Sequence, residues 1–211
     1  MNFRNLDATL FITGTSSYDY GQATLNVAER HCDFFADFVP ILKMETPVRI
    51  VLRSGEISVL EVEGKTYLSS KHLLRVTEIS VMLCPGAEEA LEAVLDAQAV
   101  IYTPHKKKAN LLVAHPCTIT AVTASSLTFT CPGFDAHLRE KSFLMELGAP
   151  LFPYQAELRL TSGGRNLLFG KNAHYTCLIA AIEAPDRVQL LRYIRAKAER
   201  FISRLFPLEP L

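Results

Sequence analysis

Tryptophan is absent from this chain, cysteine is scarce, and neither sign of charge prevails: 22 basic side chains face 22 acidic ones. Each shortage excludes something. The five cysteines, Cys32, Cys84, Cys117, Cys131 and Cys177, are odd in number, widely spaced and never in a CxxC pair. That pattern excludes a disulfide framework and a structural zinc site, and leaves reduced thiols packed as small hydrophobes. The six histidines show no HxH, HxxxH or HExxH spacing, so no metal site and no cofactor is expected. Zero net charge argues against bulk electrostatic binding to nucleic acid or an anionic membrane; such binding would need a local patch. No apolar run approaches the roughly 18 residues that a bilayer span requires; the longest is Cys177 to Ile182. Asp7 stands where a signal peptide would carry its apolar core, which points to a cytoplasmic chain.

Catalytic signatures are equally scarce. His31 and Cys32 are adjacent, but neighbours in a strand point to opposite faces, so they do not make a nucleophile with its base. Ser162-Gly163-Gly164 is too short for a phosphate cradle and reads as a hairpin turn. No set of nucleophile, base and orienting group is legible, and the expectation is a protein that is not an enzyme.

What is present is strand. Val48 to Arg53, a run through Leu60 and Val62, Thr66 to Ser69 and Val76 to Leu83 alternate or form β-branched stretches between turn residues. Ala99 to Tyr102, Leu111 to Ala114, Thr118 to Val122, Leu127 to Cys131, Gln155 to Leu160, Asn166 to Phe169 and Thr176 to Ile182 continue the pattern. Two helices are expected. One runs from about Asp186 to Leu205, with Val188, Leu191, Ile194, Ala198, Phe201 and Leu205 on one face. A weaker one runs from about Ala87 to Ala97 through Leu91, Val94 and Leu95, with Glu88 and Glu89 suiting its positive end.

The halves resemble each other. Ile79 to Pro85 and Ile179 to Pro185 share a pattern, each followed by an expected helix; Val48 to Gly55 matches Ala156 to Gly163, and Gly64-Lys65 answers Gly170-Lys171. The fold class expected is therefore all-β with a few helices: two antiparallel barrels in tandem, each followed by a helix, over residues 1–98 and 99–211.

Val188-Gln189-Leu190-Leu191-Arg192-Tyr193-Ile194 and the order of elements before it resemble the PilZ domain, a small antiparallel barrel with a C-terminal helix. Many PilZ domains bind cyclic di-GMP through an RxxxR pair on an N-terminal arm and a [D/N]xSxxG motif. In the first half Asn26 matches that motif, Ala28 replaces its serine and His31 its glycine. In the second half, the stretch from Thr123 to Thr128 keeps a serine, Ser125, without the acid or the glycine. The first arm offers Arg4 alone; the second offers His105-Lys106-Lys107-Lys108. A lysine cannot copy the paired hydrogen bonds of an arginine fork. Arg49 and Arg53 have RxxxR spacing but lie after Asn26, on an expected strand.

The resemblance implies tandem, degenerate PilZ-like domains in a bacterial regulatory protein that signals through a protein partner, with cyclic di-GMP binding weak or lost. The residues it nominates for ligand contact are Arg4, Asn26, Arg30, Lys106, Lys107, Lys108 and Ser125. A partner surface is expected on the basic outer face of the last helix, at Arg192, Arg195 and Arg204. The alternative is a small β-barrel nucleic-acid binder, which would place aromatics between basic residues on one strand face. Phe34, Phe35, Phe129 and Phe169 do not form such a pattern and tryptophan is absent, which sets nucleic acid behind a protein partner.

Overall fold

The computed structural model describes residues 3–105, 108–132, 142–147, 154–164 and 174–206. Among the described residues, twelve strands form two closed six-stranded antiparallel barrels, and one α-helix follows the second. The first barrel comprises β1 (Leu6–Ile12), β2 (Tyr18–Asn26), β3 (His31–Phe35), β4 (Pro47–Ser54), β5 (Ile57–Ser69) and β6 (Leu73–Leu83). The second comprises β7 (Ala93–His105), β8 (Lys108–Val122), β9 (Ser126–Thr130), β10 (Ser142–Leu147), β11 (Tyr154–Gly164) and β12 (His174–Ile182). Helix α1 spans Ala184–Leu205.

The ring orders are β1-β2-β3-β6-β5-β4 and β10-β11-β12-β9-β8-β7. Counting each barrel from its own first strand makes these the same closed ring, so the repeat is one of topology. It aligns β6 with β12, as the Ile79 and Ile179 segments suggested. It aligns β4 with β10 and β5 with β11, so the match of Val48 to Gly55 with Ala156 to Gly163 was displaced by one strand.

Alternation explains the strands. In β4, Val48, Ile50 and Leu52 are buried while Arg49, Val51 and Arg53 are not. The inward residues meet Leu10, Phe34, Leu60, Val62, Leu74 and Val76 in the first core. The second core gathers Ile101, Ile119, Leu127, Phe129, Met145 and Leu158, with Phe129 stacked on Tyr175 at 5.4 Å. All five cysteines are buried, and none is joined in a disulfide.

Three expectations are corrected. The helix from Ala87 to Ala97 is a single 3-10 turn, Ala87–Glu89, after which the chain enters β7. Its supposed face does not exist: Leu91 is buried while Val94 is 65% exposed. Pairing with β8, from Ala93 opposite Val122 onward, overrides a modest helical propensity. Only the second barrel is therefore followed by an α-helix. Gly64-Lys65 is no turn but the middle of the 13-residue β5, at a bulge. A Cβ at Gly64 would come within 2.7 Å of both the Thr77 carbonyl oxygen and a Val76 methyl, so only glycine fits the bend. In α1 the buried stripe is Leu190, Ile194, Ala198 and Ile202, with Phe206 just beyond the helix, and Val188 is exposed.

The chain divides into two compact units, Met1–Leu91 with Arg195–Leu211, and Glu92–Ile194. Gln98, the boundary expected from sequence, lies inside β7, paired with Thr118. The expected strand Asn166 to Phe169 falls outside the described residues.

Candidate functional site

In the first barrel the candidate site is the β2–β3 connection, residues 27–30. Asn26 ends β2 opposite His31, and its Oδ1 accepts the Glu29 N–H at 3.2 Å. Arg30 takes a left-handed backbone, φ 53°, to close the hairpin. That conformation costs a non-glycine residue on the order of 1–2 kcal/mol. The N-terminal arm runs beside the end of β2, because Leu25 N–H donates to the Phe3 carbonyl at 2.9 Å. Arg4, on that arm, is exposed. Arg4, Asn26 and Arg30 thus belong to one end of one barrel.

His31 occupies the position where the motif's glycine would stand. Its imidazole is buried, with Nδ1 3.4 Å from Glu29 Oε2 and Nε2 3.3 Å from Asp33 Oδ2. Asp33 in turn accepts from Arg75, Nε to Oδ1 at 2.7 Å and Nη2 to Oδ2 at 2.8 Å. This fork raises the basicity of the Arg75 guanidinium, chiefly through its hydrogen bonds to Asp33. Replacing Asp33 with alanine leaves a buried imidazole and a half-buried guanidinium without their shared carboxylate. A loss of about 2 kcal/mol is expected, below the fully buried limit because Arg75 reaches solvent. Urea denaturation checks it; a change under about 0.5 kcal/mol would show that the fork is decorative.

The equivalent connection in the second barrel lies between β8 and β9. Thr123 Oγ1 accepts N–H bonds from Ser125 at 3.2 Å and Ser126 at 2.9 Å, and lies 2.8 Å from the Ser126 hydroxyl. Ser125 is exposed, and its carbonyl accepts the Ile179 N–H at 2.8 Å. Lys108 opens β8 opposite His105, while Lys106 and Lys107 lie outside the described residues.

On α1, Arg192 and Arg204 are exposed as expected. Arg195 is not a free surface charge. Its Nη1 donates to the Cys84 carbonyl at 3.2 Å and to Glu88 Oε2 at 3.1 Å, and its Nε lies 2.8 Å from Glu199 Oε1. It is a packing residue that ties the second half of α1 to the segment after β6. Beside it a groove of about 1000 Å³ is lined by Arg30, Glu63, Glu78, Met82, Glu199 and Phe206, among others.

No family model matches the chain, and no curated protein does. Solved structures of similar shape exist. MotI/DgrA of Bacillus subtilis, an inhibitor of motility, is 8% identical with a TM-score of 0.44, over 93% of this chain and 98% of that one. MrkH of K. pneumonia, solved as a complex with c-di-GMP, is 10% identical with a TM-score of 0.42, over 93% and 90%. YcgR of Escherichia coli, also in complex with c-di-GMP, is 8% identical with a TM-score of 0.42, over 95% and 87%. At these scores the functional reading rests on the chain's own residues.

One surface escaped the reading of the sequence. On the outer face of the first barrel, Phe11 and Tyr18 stand 6.2 Å apart and Tyr18 and Tyr20 5.3 Å apart. The Arg49 guanidinium lies 4.6 Å from the centre of the Phe11 ring and 3.5 Å from Glu61. Arg49 and Arg53 do share a strand face, outside the barrel. The signal available in sequence was Tyr18 and Tyr20 two apart, the spacing of one strand face.

Proposed function

We propose that the chain is a regulatory protein of the PilZ type, acting through contact with a protein partner, in which cyclic di-GMP binding is weak or lost. One observation supports the second half of this reading: Asn26, His31 and Thr123, at the ends of the two equivalent hairpin connections, are engaged by neighbouring groups of their own hairpins. Asn26 caps its own turn, Thr123 closes the other, and His31 is locked between two carboxylates. Arg4 stands on its arm without a second arginine four residues on. Each missing charge-assisted pair removes about 1.5–3 kcal/mol, or roughly ten- to a hundredfold in affinity.

Partner contact is supported by the exposed arginines of α1, Arg192, Arg200 and Arg204. Replacing Arg192 and Arg204 together with glutamate is expected to move the melting temperature by no more than a degree or two, since exposed charges contribute about 0.5 kcal/mol or less. The same variant should capture less of an acidic partner in pull-downs, and rising salt should weaken the unmodified complex. Unfolding of the variant, or undiminished capture, would refute the docking face.

The aromatic face gives the alternative, a nucleic-acid binder, a specific observation, because Phe11, Tyr18 and Tyr20 beside Arg49 resemble a stacking platform. Acids weigh against it: Glu61 occupies Arg49, and Glu63 and Asp7 are exposed on the same sheet. Polarisation of a labelled oligonucleotide, with Tyr20→Ala as the control, separates the two.

A further inference from the structure

The connection between β3 and β4, residues 36–46, is a strap fastened along the ends of β5 and β6. Val39 N–H donates to the Lys71 carbonyl at 2.8 Å, and Leu42 N–H to Ser69 Oγ at 3.0 Å. Ser69 Oγ donates to the Pro40 carbonyl at 2.9 Å, and Glu45 N–H to the Thr66 carbonyl at 2.8 Å. Val39 is wholly buried and anchors the strap from within.

Its outward side is unusually apolar. Phe38, Ile41 and Met44, three residues apart, are 65%, 69% and 64% exposed, and Tyr67 and Leu68 on the adjoining end of β5 are exposed as well. A soluble surface scatters its hydrophobic residues; a held loop that displays several large ones marks an interaction site. Exposed Lys43 lies between Ile41 and Met44, and exposed Lys71 is the residue whose carbonyl holds Val39. Of the acids on the strap, Glu45 is engaged by Lys65 at 3.3 Å, which leaves exposed Asp37 to oppose the two lysines.

We propose that this strap is a membrane-contact element, which seats Phe38, Ile41 and Met44 in the headgroup–acyl boundary of an anionic bilayer with Lys43 and Lys71 at the level of the phosphates. The exposures favour lipid over a protein groove. Phe38, Ile41 and Met44, at every third position of the strap, each keep about two thirds of their surface in solvent. Separate protrusions fit a fluid boundary without shape complementarity, whereas a protein partner must supply a matched pocket for each. The flanking cations select the anionic surface. With zero net charge, attraction to an anionic surface has to come from local cations such as these. The inference stands apart from the reading of the hairpin connections, and no nucleotide enters its test.

The test is co-sedimentation of the full chain with vesicles of phosphatidylcholine mixed with phosphatidylglycerol, against phosphatidylcholine alone. Binding to the mixed vesicles is expected to exceed binding to the neutral ones, and to weaken with salt. Phe38→Ser, Ile41→Ser and Met44→Ser together should reduce it on the order of a hundredfold or more, with an unchanged thermal melt as the control for folding. Lys43→Ala and Lys71→Ala should each cost about fivefold. No binding to mixed vesicles, or equal binding by the triple variant, overturns the proposal. So does capture of a protein through these same three residues by a chain that binds no vesicles.

Discussion

Gly21→Ala is expected to destabilise the first barrel by about 3 kcal/mol or more, at the upper end of what overpacking costs. Gly21 sits in β2 opposite Ala8, with its missing side chain directed inward. A Cβ there would fall well inside contact distance of the Phe35 carbonyl oxygen and 2.8 Å from Cζ of Phe34. The ring of Phe34 could turn in a looser site, but it is wholly buried, and a backbone carbonyl in a paired strand cannot rotate away. β2 must therefore shift from its neighbours, or β3 must. For a unit of about 100 residues this corresponds to a fall in melting temperature of roughly 12–24 °C. Circular dichroism melts of the two proteins decide it, and a fall of only one or two degrees would mean that the strand bends there without cost.

Alkaline pH is expected to have the second large effect. Burial holds the Cys32 thiol at about 12, with Asp33 adding to the shift, and burial likewise holds Cys117 and Cys177 at about 12. In an unfolded chain these thiols ionise near their ordinary value of about 8.5. A folded pKa above the unfolded one means that the native state binds the proton more tightly. The contribution is whole below about pH 8.5 and is lost as pH rises toward 12. For three thiols the slope is at most on the order of 4 kcal/mol per pH unit, against a total stability of about 5–15 kcal/mol. Urea denaturation at stepped pH should show stability collapsing above pH 9, and Cys177→Ala should flatten the slope. A stability independent of pH over that range would show that the thiols reach solvent.

How much of this was legible in the sequence varies by residue. The alternation in Val48 to Arg53 was enough to assign β4 and its faces, because one side chain in two is apolar. The strands β1, β2 and β3 were not assigned, since the outward positions of β1 and β2 carry Phe11, Tyr18 and Tyr20, which blur the alternation. Helix α1 was legible in extent but not in rotation, because Leu190 and Leu191 serve a sequence pattern equally well and only packing selects Leu190. The helix after β6 failed for a related reason: strand pairing is decided by a partner far along the chain. Within the candidate site, Asn26 and Arg30 could be grouped because one hairpin contains them. Asp33 and Arg75, 42 residues apart, could not, nor could Arg195 and Glu88, separated by 107. Charges that end in ion pairs and charges that face solvent look alike until the fold is known.

The central claim is that cyclic di-GMP binding is weak or lost, because Asn26 is engaged in its own turn, His31 is held between Glu29 and Asp33, and Arg4 has no second arginine four residues on. Calorimetric titration of the full chain with cyclic di-GMP tests it most directly. The arrangement of Asn26, His31 and Thr123 predicts a dissociation constant in the high micromolar range or weaker, with heats close to dilution at ordinary protein concentrations. Saturable, submicromolar binding would contradict it, and Arg49 with Arg53, on the outer face of β4, would then be the first residues to replace.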